Sequence, residues 1–118
     1  MAVSDSFRDF VLEQLHRAAT PVRARRMFGG VGLYAGDTFF ALIDDDTVYF
    51  KTDASTQPEF EARGMKPFRP FGDDGGTMQY HQIPEDVLEN PETLRIWVER
   101  AVSVAHQKKK QSARRSGG

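Results

Sequence analysis

Arg25-Arg26-Met27-Phe28-Gly29-Gly30-Val31-Gly32-Leu33-Tyr34 is the stretch that decides how this chain reads. Two arginines meet two large apolar residues, three glycines fall within four positions, and an aromatic strand pattern follows at once. A phosphate loop would need its glycines to open onto a helix N-terminus, where backbone N–H groups and the helix dipole face the anion. These glycines lead into a strand, and neither G-x-x-x-x-G-K-[ST] nor G-x-G-x-x-G is present. Gly29, Gly30 and Gly32 therefore read as backbone-geometry residues that permit a bulge or the close approach of another chain segment, with phosphate binding as the alternative.

Downstream of the glycines the pattern is a three-strand meander. Its strands are Gly30–Ala35, Thr38–Ile43 and Thr47–Thr52. Gly36-Asp37 and Asp44-Asp45-Asp46 supply the turns between them. The middle strand contains Phe39-Phe40-Ala41-Leu42-Ile43, an unbroken apolar run. A strand with one wet face alternates. This run predicts cover on both faces, by helices on one and by a loop, helix or second subunit on the other. Self-association as a homodimer follows as an expectation.

Upstream, Ser4 to Ala18 reads as a helix. Phe7, Phe10, Val11, Leu15 and Ala18 form its apolar face, and Arg8, Asp9, Glu13, Gln14 and Arg17 lie off it. Val22 to Met27 reads as extended or irregular. Beyond the meander, Asp53 to Arg63 predicts a short helix stopped by Gly64, with Pro58 in its first turn. Met65–Phe71 and Thr77–Ile83 follow as strands, the first at an edge because of Pro67 and Pro70. Pro84 to Glu89 is a helical turn. Asn90-Pro91-Glu92 then starts a last helix with Leu94, Trp97, Val98, Ala101 and Ala105 as its buried stripe. The expected order is α-β(3)-α-β(2)-α, a two-layer α+β domain with an antiparallel sheet.

The 118 residues fit one domain over 1–106 and a basic tail, expected to be disordered, over 107–118. The net charge of −1 hides this division. The tail holds Lys108, Lys109, Lys110, Arg114 and Arg115 and no acid, so residues 1–106 carry eleven basic and seventeen acidic residues, a net −6. A dedicated DNA-binding domain shows a basic face on its folded part, which this balance argues against. The five tail cations remain candidates for nonspecific contact with nucleic-acid phosphates. The chain has no cysteine, which excludes disulfides and thiol chemistry and fits a reducing compartment. No signal peptide pattern and no apolar run near the roughly 20 residues of a membrane span are present. The expectation is a cytoplasmic protein of bacterial style, without a membrane partner.

Candidate chemistry is thin. His16, His81 and His106 share no metal-ligand spacing. His81, beside Tyr80, is the one aimed at a cleft if a small ligand binds. Asp44-Asp45-Asp46 lacks the spacing of a calcium loop and reads as a turn. No serine has a nucleophile context. The chain is thus expected to use no catalytic residues, cofactor or metal. Arg23, Arg25, Arg26, Met27 and Phe28 remain as candidate partner contacts. On an extended segment Arg23 and Arg25 share a face and Arg26 takes the other. Arginine forks suit carboxylates and phosphates, and simple surface ion pairing is the competing reading.

Arg26 through Tyr34, Phe40-Ala41-Leu42-Ile43 and Val48-Tyr49-Phe50-Lys51-Thr52 resemble the N-terminal domain of the TfoX (Sxy) competence regulators. So do Phe60 with Gly64, Pro67-Phe68, Met78-Gln79-Tyr80, Ile83-Pro84, Leu94, Trp97 and Ala101. The resemblance implies a secretion-chaperone-like α+β domain and a non-enzymatic regulator of transcription. Full-length members promote competence genes together with the cyclic-AMP receptor protein, so the implied partner is a protein, with transcription machinery the candidate. They carry a second, helical C-terminal domain that this chain does not match. Direct nucleic-acid binding and a small-ligand or enzymatic role stand as the alternatives.

Overall fold

The hydroxyl of Ser4 accepts a hydrogen bond from the Phe7 amide at 3.3 Å and starts α1 (Asp5–Arg17). The structure is a computed structural model that describes residues 4–18, 21–27, 30–69 and 78–117. After α1 come β1 (Arg23–Met27), β2 (Gly30–Ala35), β3 (Thr38–Asp44) and β4 (Thr47–Lys51). Then follow α2 (Gln57–Ala62), β5 (Pro67–Phe68), β6 (Met78–Gln82), α3 (Glu85–Glu89) and α4 (Pro91–Gly117). The fold is α+β, with one antiparallel sheet in the order β1-β2-β3-β4-β6-β5.

The meander has four strands where three were expected. Of the two readings of Val22 to Met27, extended or irregular, the extended one holds: Arg23–Met27 pairs along its length with β2. Its turns follow the predicted residues. Gly36 takes φ 62°, and Asp45 and Asp46 take φ 49° and 53°, the paired positive values of a tight hairpin.

Cross-strand rows define the two faces. Val31, Ile43 and Val48 form one row, and Leu33, Ala41, Phe50 and His81 another, both buried under the helices. Gly32, Leu42, Tyr49 and Gln82 form a row on the opposite face. A bulge between Leu33 and Tyr34 accounts for the apolar run in β3. The pairing steps from Ala41 to Phe39, leaving Phe40 as the extra residue. Phe40 therefore joins Ala41 in the helix-side core, its ring 5.7 Å from Phe50. Phe39 turns the other way and stacks on Tyr34 at 5.2 Å.

The helices form the second layer. α4 packs on β3 and β4, α2 on β6, and α1 and α3 pack against α4. Leu94, Trp97, Val98, Ala101 and Ala105 are buried on α4 as the spacing predicted. Asn90 caps that helix, its Oδ1 accepting from the Glu92 and Thr93 amides at 3.1 and 3.3 Å. In α1 Val11 and Leu15, and after it Ala18, are buried as expected, but the face departs from expectation at two positions. Phe10 is exposed and Gln14 is buried, with its Nε2 donating to the Leu88 carbonyl at 3.0 Å. That bond offsets the cost of burying the amide and ties α1 to α3.

Two boundaries moved inward. α2 begins at Gln57, because the Asp53 carboxylate first accepts from the Ser55 and Thr56 amides and holds residues 53–56 as a turn. β5 is only Pro67–Phe68, and the expected strand residues 70, 71 and 77 lie outside the described residues. The helix assignment of α4 continues past Gln107 to Gly117.

Candidate functional site: the arginine edge strand

β1 is one edge of the sheet, bonded only to β2. Arg23, Ala24, Arg25 and Arg26 are all exposed. A strand at an edge turns alternate N–H and C=O groups away from the sheet, where they have no ladder partner. The opposite edge, β5, is two residues long and includes Pro67, which lacks a donor. β1 is thus the longer, proline-free edge.

The register places the side chains. Arg23 sits opposite Tyr34 and Arg25 opposite Gly32, so both lie on the sheet face that the helices leave uncovered. Arg26 sits opposite Val31, on the helix side. Arg23 lies 3.6 Å from the Asp37 carboxylate and donates to the Gly36 carbonyl at 3.1 Å. Arg26 reaches Asp5, at the start of α1, at 3.3 Å. Arg25 makes no ion pair among the described residues, whereas Arg8, Arg17, Arg63, Arg95 and Arg100 each face a carboxylate. Met27 ends β1 opposite Gly30, and Phe28 and Gly29 lie outside the described residues.

Gly30 cannot carry a side chain without a shift. A Cβ there would stand 2.6 Å from the Ile43 carbonyl oxygen. Gly32 is buried, with Arg25 and Leu42 as its neighbours across the two ladders. Gly30 and Gly32 lie on β2 and not at a helix N-terminus.

Sequence reasoning missed an aromatic cluster beside these arginines. Tyr34, Phe39 and Tyr80 form a chain of ring contacts at 5.2 and 5.8 Å, and Lys51 Nζ lies 4.7 Å above the Tyr80 ring. Tyr49 packs on Phe68 at 4.9 Å. The available signal was alternation: Tyr34, Tyr49 and Tyr80 each fall on the non-core phase of their strand. The bulge hid Phe39 from that count. Burial pushes the Tyr80 phenol up to about 12, helped by Tyr34. Burial, and then Asp44 and Asp45, raise Tyr49 as well.

Tyr80 and His81 do not share a site. His81 points into the helix layer, buried against Phe60, with Nδ1 2.9 Å from the Thr52 hydroxyl. Its Nε2 is buried without a hydrogen-bond partner among the described residues. Burial holds the ring below its ordinary pKa, against the opposing pull of Glu61. The ring is therefore neutral at pH 7. Of the tail candidates, Lys108, Lys109, Lys110, Arg114 and Arg115 lie on the α4 backbone, and their side chains fall outside the described residues.

A cleft of about 260 Å³ lies between α1, the β3–β4 turn and α3, bounded by Phe7, Phe10, Asp46, Glu85 and Leu88. Asp46 is already committed there, since its carboxylate binds Ser4. Among the described residues no group of three or more His, Cys, Asp and Glu could hold a metal ion, and no helix is long and apolar enough to cross a membrane.

Comparison with known proteins now bears on this geometry. Residues 13–105 match the model of the TfoX N-terminal domain. The chain is also 30% identical, over 79 residues, to the DNA transformation protein TfoX1 of Aliivibrio fischeri. That match covers 66% of this chain and 38% of the relative, so the chain spans well under half of the longer protein. The match takes in the β1–β2 hairpin, the whole sheet and α4 to Ala105, and the chain belongs to the TfoX N-terminal domain family.

Proposed function

We propose that this domain is a non-enzymatic regulatory module of the cytoplasm that acts through contact with another protein, with competence or transcription control as its setting. The relative's name, a DNA transformation protein, supports the setting. The observation that carries the mode of action is β1: five residues with three exposed arginines on the longer, proline-free sheet edge. An unfinished edge with directional cations is built for contact and brings no reacting groups together.

The test is affinity capture with the purified chain as bait, wild type against Arg25→Ala/Arg26→Ala. The variant is expected to lose the partners that wild type recovers. Equal recovery would remove the arginines from the contact. The net −6 of residues 1–106 disfavours direct nucleic-acid binding. A titration against single-stranded and duplex DNA at low salt checks this, since phosphate attraction is strongest there.

A further inference from the structure

We propose that β1 is a strand-addition site for an extended acidic segment of a protein partner, which pairs as a seventh strand and sets carboxylates against Arg23 and Arg25. This rests on the protein-contact reading above and names the chemistry of the partner.

Three features lead to it. The first is the backbone. Among the described residues β1 is paired on one side only, and the other side of its five residues offers donors and acceptors with no ladder partner there. A partner strand satisfies them with main-chain hydrogen bonds that do not depend on its sequence.

The second is the spacing of charge. Arg23 and Arg25 lie two residues apart on one face, about 7 Å along an extended chain. Carboxylates on alternate residues of an added strand fall at the same interval, directly opposite, where unlike charges stabilise a pair. The molecule already shows that carboxylates reach these groups, at 3.6 Å from Asp37 to Arg23 and 3.3 Å from Asp5 to Arg26. Those two contacts are highly exposed and are displaced at little cost. Arg25 has no ion pair among the described residues and forms the centre of the strip.

The third is the exclusion of the simplest rival, a second copy. Full antiparallel pairing of β1 with itself sets Arg25 against Arg25, Arg23 against Met27 and Ala24 against Arg26. Like charges face each other at the centre, so the strand resists its own copy and favours an acidic one.

The experiment is a fluorescence-anisotropy titration of the full chain with a labelled, end-blocked peptide of alternating Glu and Val. Saturable binding at low salt is expected, weakened about tenfold or more by Arg23→Glu/Arg25→Glu. That double variant should instead bind the matching Lys–Val peptide, a gain that misfolding cannot produce. N-methylation of one alternate set of peptide amides should abolish binding, and of the other set should not, because only one set faces β1. No saturable binding of the acidic peptide would overturn the proposal. So would equal binding by both N-methylated peptides, or tighter binding of single-stranded DNA than of the peptide. If the peptide fails while wild-type bait still captures partners that Arg25→Ala/Arg26→Ala loses, the protein-contact reading stands and strand addition falls. If the wild-type bait captures no partner at all, the contact reading itself has failed.

Discussion

The carboxylate of Asp46 accepts hydrogen bonds from both the amide and the hydroxyl of Ser4, at 2.8 and 3.1 Å. The N-cap of α1 is thereby fastened to the β3–β4 turn, 42 residues away in sequence. Asp46 also holds φ 53°, a value that aspartate tolerates better than alanine. Asp46→Ala loses both the bonds and the backbone fit, and is expected to destabilise by about 1–3 kcal/mol. Asp46→Asn keeps the backbone preference and one acceptor, and should cost less. Urea denaturation midpoints compare the two, and an unchanged midpoint for Asp46→Ala would refute the linkage.

Gly30→Ala is expected to destabilise, because the new methyl would meet the Ile43 carbonyl at 2.6 Å. The obstacle is backbone in the neighbouring strand, so the hairpin itself must move, at about 1–3 kcal/mol. Gly36→Ala meets open space and is disfavoured only by φ 62°, at about 1 kcal/mol. Thermal melts should rank the two in that order. The reverse ranking would show that β2 gives way at Gly30 without resistance.

Stability should fall on mild acidification because of His81. In the fold the ring is held neutral by burial, below its ordinary 6.5, while in the unfolded chain it protonates normally. The unfolded state then binds more protons, so this contribution is complete above pH 6.5 and is lost as pH falls toward the lowered folded value. Thr52→Val removes the partner of Nδ1 and should cost about 1–3 kcal/mol at neutral pH. An NMR titration in which His81 shifts at its ordinary pKa would contradict this account.

The alkaline side has its own limit. Tyr80 is pushed up to about 12 from 10.0, so the folded state keeps a phenol that the unfolded state ionises. Stability is complete below pH 10 and is lost as pH rises through 12, by up to about 3 kcal/mol. Tyr80→Phe should flatten this slope in chemical denaturation. A slope that survives the substitution would assign the loss to another group.

Most of the fold was legible because most of it obeys a period. The α4 stripe, the Asn90 cap and the turns at Gly36-Asp37 and Asp45-Asp46 follow from the residues themselves. β1 was legible only as extended or irregular, not as a paired strand. Arg23-Ala24-Arg25-Arg26 is exposed at an edge, so no buried face writes an alternation into its sequence. Gln14 misled in the opposite direction, as a polar residue whose burial depends on the Leu88 carbonyl arriving from α3. The arginines of the candidate site could be picked out by composition. Extended geometry also separates Arg25 from Arg26 onto two faces. Which of those faces meets the helices was not legible, since it depends on pairing with β2.

The bulge in β3 also sets how the chain length here is tolerated. Phe40 is one residue more than the ladder with β2 needs, while β3 pairs with β4 only from Ala41 onward. A relative lacking one residue at this point can keep both hairpins in register. Its loss would fall on the core, where the Phe40 ring fills space against Phe50. Strand length and interior volume are therefore separate quantities at this position, and a shortened strand calls for a larger side chain arriving from the helices.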